Sequence, residues 1–399
     1  MGQSRRNIVI VGGSIAAVTA AQVLRAEGFE GNVTMLSDEA HLPYSRVPLS
    51  KAVLSGAAHR DTCALPLSHD EIHVRLGQRA VGLDVQSRLI HLTNGEPVPY
   101  DGLVIATGAR ARRLAHPGQA GEFVVRDAED VEQLAPHLRT ASTAVIIGAG
   151  FLGMEIASTC TKLGLQVTVI DRDPPLRRLL GEWLSSFVVA RAELSGVRFL
   201  RAPQGVDLVG LPTVRGVRVG DEVIKSDVVI SAIGDVPNSE WLHGSPLEIL
   251  RGAVVVDQRC VAAPDIVAAG DIAAIRNAAG QVNRLPHWNN AVRQARSAAM
   301  SLLHGVESPI AEPDHYFWTE AFGLQIKVCG LIPDMTTPVI LERSDIGESL
   351  ILQWLSSEGE PVAAATVNRK MPVSKIRRLA TELDFRGSDS GVGLAVASR

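Results

Sequence analysis

The sequence predicts an α/β fold in which two doubly wound, parallel-stranded units are nested and followed by a C-terminal α+β domain. Three observations carry this prediction. Two glycine-rich turns, NIVIVGGSIAAVTAAQVL (Asn7 to Leu24) and AVIIGAGFLGMEIASTCTKLG (Ala144 to Gly164), each follow a run of β-branched and aliphatic residues and lead into an apolar pattern of helical spacing. They stand far apart in a chain of 399 residues, so they are a diverged repeat of one unit and not a stack of short repeats. From about Pro313 the pattern changes to aromatic and alternating stretches such as SLILQWL and VAAATV, read as antiparallel strands, and then to a basic helix, KIRRLATEL.

Taken in chain order, the first turn is the degenerate one. Gly12 opens it, Ser14 stands where a second glycine is usual, and Ala17 takes the third position. Serine is small enough for close backbone approach, and alanine is an allowed third residue. The next strand, VTMLSDE, brings Asp38 and Glu39 to its end, the place from which an acid reaches a ribose. LVIATGA (Leu103 to Ala109) is a hydrophobic strand running into Ala106, Thr107 and Gly108, where the chain can pass close to a bound group.

The second turn is a full GxGxxG, with Gly148, Gly150 and Gly153, and with Phe151 and Leu152 between the last two. About twenty residues on, VTVID places Asp171 at a strand end. A carboxylate there binds a ribose 2′-OH and repels a 2′-phosphate, which favours NADH. The neighbouring Arg172 is a guanidinium able to accept that phosphate, so NADPH stays open. VVISAIGDVPN repeats the strand-then-glycine pattern with Ile233 and Gly234. IVAAGDIAAI ends a strand in Gly270 and Asp271, an acid on a tight turn expected to open a helix, as its cap or as a ligand.

A strand, a tight glycine turn and a helix N-terminus form a Rossmann-like dinucleotide site, in which backbone N–H groups and the positive helix end face a pyrophosphate. Two such units imply two dinucleotides. Hydride passing from a nicotinamide to a flavin is the simplest chemistry that needs both, with FAD at the first turn and NADH at the second. The order of the segments gives a nested layout: an FAD domain from residues 1–113 and 246–312, an NAD(P)H domain from 114–245, and a C-terminal α+β domain from 313–399.

On these residues the chain resembles the flavoprotein ferredoxin reductases that serve bacterial oxygenases, relatives of the putidaredoxin and rubredoxin reductases, with a glutathione-reductase-like fold. The likeness runs from Asn7 to about Phe385. Its most specific piece is LPYSRVPLSK (Leu42 to Lys51), similar to the family's PYxRPPLSK. HWNNAVRQA (His287 to Ala295), FWTEAFGLQIKVCGL (Phe317 to Leu331) and VAAATVNR (Val362 to Arg369) add to it. The resemblance implies that Arg46 and Lys51 line the isoalloxazine and its phosphates, and that Lys51 pairs with Glu155 near flavin N5. It implies that Asp271 holds the ribitol and that Arg126, His287 and Trp288 lie in segments contacting the flavin. Arg178 would meet the pyridine nucleotide, and Trp318 would stand beside the nicotinamide pocket unless it is an ordinary core residue. Val47 replaces a proline of the motif, and Asp171 a more usual glutamate; neither change removes a reacting group.

Several chemistries are excluded by what the chain lacks. Cys63, Cys160, Cys260 and Cys329 are scattered with no CxxC or CxxxxC pair, so a dithiol relay is not expected. An oxidase or peroxidase relative would carry a lone redox cysteine in the segment after the second strand, where Ser45 stands. Cys160 lies on an apolar helix and reads as a small buried hydrophobe. Unpaired thiols suit a reducing cytoplasm. The eleven histidines form no HExxH or Cys/His cluster, so no metal is expected. A net charge of −4 argues against nucleic acid as the main partner. Arg5 and Arg6 precede an apolar start, but a glycine turn interrupts it, so it reads as strand and helix and not as a signal segment. No run of about eighteen apolar residues occurs, so no membrane span is expected. The Gly/Ser-rich tail from Arg386 is expected to fray.

The expected activity is therefore transfer of electrons from NADH through FAD to a small iron–sulfur carrier, a ferredoxin or rubredoxin. The flavin exchanges electrons singly where a nicotinamide cannot, and the protein supplies orientation and electrostatics. Arg293 and Arg296, three apart on the helix after Trp288, either steer an acidic carrier or form a solvated helix surface, and Arg276 is a further candidate. Two other readings stay open: a small acceptor such as oxygen, a quinone or a monodehydroascorbate-like radical, and an NADH-sensing interaction flavoprotein like apoptosis-inducing factor.

Overall fold

A computed structural model describes residues 6–67, 71–344 and 348–383; the tail from Arg386 lies outside the described residues. The chain forms two compact units. The first comprises residues up to Arg113, Val124–Pro136 and Ile233–Asp314; the second comprises Leu114–Phe123, His137–Ala232 and the chain from His315.

The first unit is built on a six-stranded sheet in the order Val261–Ala263, Ile266–Ala268, Gly102–Ile105, Asn7–Val11, Asn32–Leu36 and His73–Arg75. All neighbours are parallel except the outermost pair at the Val261 edge. Ile8, Val9 and Ile10 are fully buried, as a strand covered on both faces requires. Helix Ile15–Ala26 packs against helix Trp288–His304. Alanines 16, 17, 20 and 21 on one and 291, 295, 298 and 299 on the other are buried, and side chains this small let the helix backbones come close. The helix expected at Gly270-Asp271 does not form there. Ala273–Arg276 is a strand, drawn into parallel pairing with Ala253–Val256. The helix of this region begins at Trp288, and Gln294 from it reaches back to accept the Gly270 N–H at 2.8 Å.

The second unit repeats the plan with five parallel strands in the order Arg198–Arg201, Gln166–Asp171, Thr143–Ile147, Val228–Ser231 and Glu122–Phe123. In both units the strand before the glycine turn lies between its successor and a later strand. That reversal of winding opens a crevice at the strand C-termini.

Five further strands of the second unit, Phe317–Ala321, Leu324–Gly330, Pro361–Val367, Ser349–Leu355 and Val339–Ser344 in spatial order, form an antiparallel sheet. Cys329, Ile351 and Ala364 on one face pack with Ile376 and Leu379 of helix Val373–Leu379. Gln353 donates to the carbonyls of Leu379 (2.6 Å) and Glu382 (2.8 Å), satisfying groups that a helix C-terminus leaves open.

The unit boundaries differ from those expected. The return to the first unit falls at Ile233, because Asp235–Pro237 pairs antiparallel with Ala109–Ala111. The segment expected as a third domain groups with the second unit, because strand Phe317–Ala321 packs along helix Phe151–Lys162. Among the described residues no helix is long and apolar enough to cross a membrane.

Candidate functional site

The first turn is shaped by two contacts that only glycine permits. Gly12 has φ +135°, and a Cβ there would fall 2.1 Å from the Ala106 carbonyl oxygen. At Gly13 a Cβ would fall 2.3 Å from the Ser37 hydroxyl oxygen. Ser14, by contrast, is the extended N-cap residue of helix Ile15–Ala26 with φ −128°, a conformation any residue adopts, and its hydroxyl makes no cap hydrogen bond. Ala17 is fully buried, so this helix leaves room for a methyl group at the third motif position. The first-turn N–H groups of a helix have no intrahelical partner, and here no side chain caps them, which leaves them for an anion.

Behind this turn lies a connected set of charged groups. Glu39 accepts from the Arg46 guanidinium through one oxygen and from the Tyr44 hydroxyl through the other at 2.5 Å. Tyr44 in turn accepts the Ala128 N–H at 2.9 Å, and Arg46 donates to the Arg126 carbonyl at 2.8 Å. Arg126 donates to the Ala109 carbonyl (2.8 Å) and to Asp271 (2.6 Å). Arg284 donates to the Asp271 carbonyl (2.6 Å) and to Asp235 (2.6 Å). Burial chiefly pushes the Tyr44 phenol far above its ordinary range, which keeps it a donor to Glu39. Of the two acids expected near the ribose, Glu39 belongs to this set. Asp38 instead pairs with Arg79 at 2.9 Å on the exposed surface, because the strand ends at Leu36 and the chain has already turned.

Thr107 and Asn238 exchange hydrogen bonds at 2.9 and 3.0 Å, fixing the chain just before Gly108, which has φ +62°. Ala106 donates to the Val11 carbonyl at 2.8 Å, and Gly234 accepts from Arg112 at 3.0 Å. Ile233 opens the return crossing. Lys51 lies in the helical turn Leu49–Val53 and donates to the Val47 carbonyl at 3.1 Å. His287 stands at the N-cap position of helix Trp288–His304 without a side-chain cap hydrogen bond, and Trp288 is 38% exposed at the helix start.

In the second turn, a Cβ at Gly153 would sit 1.9 Å from the Gly148 carbonyl oxygen, so helix Phe151–Lys162 rests directly on the turn. Gly150 faces open space: an added Cβ would meet nothing within 4 Å. This helix too lacks a side-chain cap and an acidic first turn. Asp171 ends its strand and accepts the Ala149 N–H at 2.5 Å and the Asp173 N–H at 3.0 Å, which ties the turn to the acid. Arg172 lies against Gly205, whose missing side chain makes room for the guanidinium. Arg178 is exposed and pairs with Asp173 at 2.5 Å.

One turn beyond Gly150, Phe151 and Leu152 begin the helix and Glu155 is buried at 8% exposure, accepting from the Thr319 hydroxyl at 2.9 Å. Trp318 is half-buried, not a core residue, and stacks on Tyr316 at 5.8 Å between ring centres, with the Arg377 guanidinium over the far ring.

Two unoccupied-by-side-chain helix ends on one chain, each over a glycine turn, match a known pattern. A family model described as pyridine nucleotide-disulphide oxidoreductase covers residues 6–295. The chain belongs to this family. It is 34% identical over 380 residues to the biphenyl dioxygenase system ferredoxin–NAD(+) reductase component of Paraburkholderia xenovorans (strain LB400), covering 93% of this chain and 92% of that one. It is 32% identical to the rubredoxin-NAD(+) reductase of Pseudomonas putida, covering 90% of this chain and 95% of the relative. A crystal structure of the covalent putidaredoxin reductase–putidaredoxin complex superposes with a TM-score of 0.81 at 28% identity, over 95% of this chain and 94% of that one. The resemblance stated from the motifs therefore holds, and so does the α/β architecture.

Although this oxidoreductase family is named for disulphides, all four cysteines here are free and buried. Burial pushes the Cys160 thiol up to about 12, so it stays protonated. Two of the cations expected to steer a carrier are already engaged: Arg293 stands 3.8 Å from Asp314 and Arg276 2.5 Å from Glu248. Arg296 is exposed on the same helix. Sequence reading missed Gly13, Tyr44, Arg284, Gln294 and Thr319. Gly13 had a signal in the glycine doublet, and Tyr44, Gln294 and Thr319 lie inside the quoted segments; Arg284 had none.

Asp130, also missed, anchors Arg126 by accepting its N–H at 2.9 Å, and pairs with Arg113 at 3.3 Å. Burial, with the Asp127 carboxylate second, raises its carboxyl from 3.8 to about 6. A raised folded value means the folded state holds this proton more tightly, so the contribution is full below about 4 and is lost as pH rises to about 6. Asp130→Asn is therefore expected to gain stability relative to the parent between pH 4 and pH 7 in urea unfolding; a pH-independent difference would refute the assignment.

Proposed function

We propose that the chain is an NADH-dependent flavoprotein reductase that passes electrons through FAD to a small ferredoxin- or rubredoxin-type iron–sulfur carrier serving an oxygenase. The observation that carries the reading is the pair of uncapped helix ends over glycine turns in a chain without a thiol pair. Its relatives are named as ferredoxin– and rubredoxin–NAD(+) reductases, and a structural neighbour is bound to putidaredoxin.

The residues suit the two dinucleotides. Gly12 brings the backbone close at the first turn, Glu39 and Asp271 offer carboxylates for ribose and ribitol, and Arg46, Lys51 and Arg126 offer positive charge. Ser14, Ala17, Ala106, Thr107, Gly108, Gly270, His287 and Trp288 complete this proposed FAD contact set. Gly148, Gly150, Phe151, Leu152, Gly153, Asp171, Arg172, Arg178, Ile233 and Gly234 do so for NADH, with Asp171 disfavouring a 2′-phosphate. When bound, FAD would supply hydride acceptance from the nicotinamide and single-electron release. Lys51 would favour negative charge on the reduced ring, Glu155 would supply the carboxylate at its edge, and Trp318 would flank the nicotinamide. Four free, buried cysteines suit a reducing compartment, which supports a cytoplasmic site for the reaction.

Anaerobic stopped-flow decides this. Fast bleaching of the flavin band by NADH, faster than by NADPH, followed by fast reoxidation by one member of a ferredoxin and rubredoxin panel is expected. Reoxidation only by oxygen or a quinone would overturn the carrier assignment, and absence of bound flavin would overturn the whole reading. Because Arg293 is shared with Asp314, Arg296→Glu is expected to carry most of the loss in an Arg293→Glu/Arg296→Glu pair. Carrier reduction should slow about tenfold at low salt with ferricyanide reduction unchanged; equal loss in both assays would reject the steering role.

A further inference from the structure

Strand Phe317–Ala321 lies along helix Phe151–Lys162 in matched steps. Four residues of helix rise about 6 Å, and two residues of strand rise about 6.6 Å, so alternate strand residues can meet successive turns. The first two contacts follow that spacing: Phe317 meets Phe151 at 5.1 Å between ring centres and Thr319 meets Glu155 at 2.9 Å. The third comes one residue past the strand, where the Phe322 N–H donates to the Ser158 hydroxyl at 2.7 Å. The alternate residues Tyr316 and Trp318 point to the other face and stack on each other.

The two outer contacts already fix the strand on the helix. The middle one is of another kind, because it is a polar bond to an ionisable group in the interior. Glu155 is 8% exposed and Thr319 4% exposed, so neither gains its hydrogen bonds from bulk water. A glutamate side chain turns about three single bonds. A hydroxyl held on a strand selects one placement among them by donating to one carboxyl oxygen.

We propose that Thr319 is a positioning residue: its hydroxyl holds the Glu155 carboxyl group in the orientation used at the flavin edge. This rests on the reading above that places Glu155 there. Thr319 does not contact the reacting atoms and acts only through Glu155. Its location on the same short strand as Trp318 ties the placement of the carboxylate to that of the aromatic ring.

Four variants of the full-length protein test this: Thr319→Val, which keeps the shape without the hydroxyl, Thr319→Ser, Glu155→Gln, and the Thr319→Val/Glu155→Gln pair. Thr319→Val is expected to slow flavin reduction by NADH about tenfold, with the NADH dissociation constant unchanged within about twofold and Thr319→Ser near the parent. In the Glu155→Gln background the valine change should alter the rate by less than about twofold. Flavin-free protein supplies a second readout: the thermal midpoint should fall by about 3 °C for Thr319→Val alone and by much less in the Glu155→Gln background. Parent-like reduction by Thr319→Val, or an equal loss in both backgrounds, overturns the proposal. Parent-like reduction by Glu155→Gln overturns the reading of Glu155 and the proposal with it, so the two failures are told apart.

Discussion

Gly153→Ala is expected to raise KM for NADH by about 100-fold while FAD stays bound. The added Cβ would lie 1.9 Å from the Gly148 carbonyl oxygen, a backbone atom that no rotamer change can move. The helix must then lift from its turn by more than an ångström. Its first N–H groups, which have no capping side chain, would retreat from the pyrophosphate proposed to bind there. A misplacement of about 1 Å can cost on the order of 100-fold. The same substitution read in reverse at the first turn separates this mechanism from helix propensity. Ala17 occupies the corresponding third position and fits, so Ala17→Gly should cost only about 1 kcal/mol of stability and leave flavin reduction near the parent rate. Steady-state kinetics with NADH, together with flavin retention after gel filtration, measure both. A Gly153→Ala enzyme with parental KM would show that the helix yields without consequence.

The contrast between the two turns shows what could be read from residue types. Hydrophobic runs before Gly12 and Gly148 are covered on both faces, so parallel strands were legible from them. The spacing to Asp171 was legible as well, because a strand, helix and strand take a fixed length. The first turn looks degenerate by its residue types, yet the geometry explains its missing glycines. Ser14 has ordinary extended backbone and Ala17 has room for its methyl, so only Gly12 and Gly13 are required there. At Gly13 the glycine doublet is a local signal, but the requirement itself comes from the Ser37 side chain just past the end of strand Asn32–Leu36, a distant contact that the doublet does not reveal.

The acids show the same limit. Asp38 and Glu39 are adjacent, and position alone could not choose between them. Tyr44 and Arg46, five and seven residues on, draw Glu39 inward, while Arg79 holds Asp38 at the surface. Gly270-Asp271 looked like a helix start because a short acid after glycine serves both turns and caps. The deciding fact was the parallel partner Ala253–Val256, which lies earlier in the chain and converts the next residues into strand. Side-chain contacts between distant segments set these outcomes, so one sequence read alone does not reveal them.

Asp271 is the test of whether that network serves a ligand or only the fold. Its carboxylate lies 2.6 Å from Arg126, with side-chain exposures of 17% and 28%. Asp271→Ala would leave the Arg126 guanidinium in a partly dry site without its counter-ion, a loss on the order of 3 kcal/mol. If Asp271 also holds FAD, its removal should weaken flavin binding by about 100-fold, since about 1.4 kcal/mol accounts for each factor of ten. The stranded charge and the lost ligand contact can be separated by adding Arg126→Met. The double variant no longer buries an unpaired charge, so its thermal midpoint should recover most of what Asp271→Ala loses. Its FAD affinity should not recover, because the carboxylate is still absent. Differential scanning fluorimetry reads the first quantity, and flavin fluorescence released on dilution reads the second. Recovery of both would make Asp271 a structural counter-ion and remove it from the proposed site. Recovery of neither would place the main loss in Arg126 and its bond to the Ala109 carbonyl, at 2.8 Å. Recovery of stability alone is the outcome expected of an acid that holds the flavin while being held by Arg126 and Arg284.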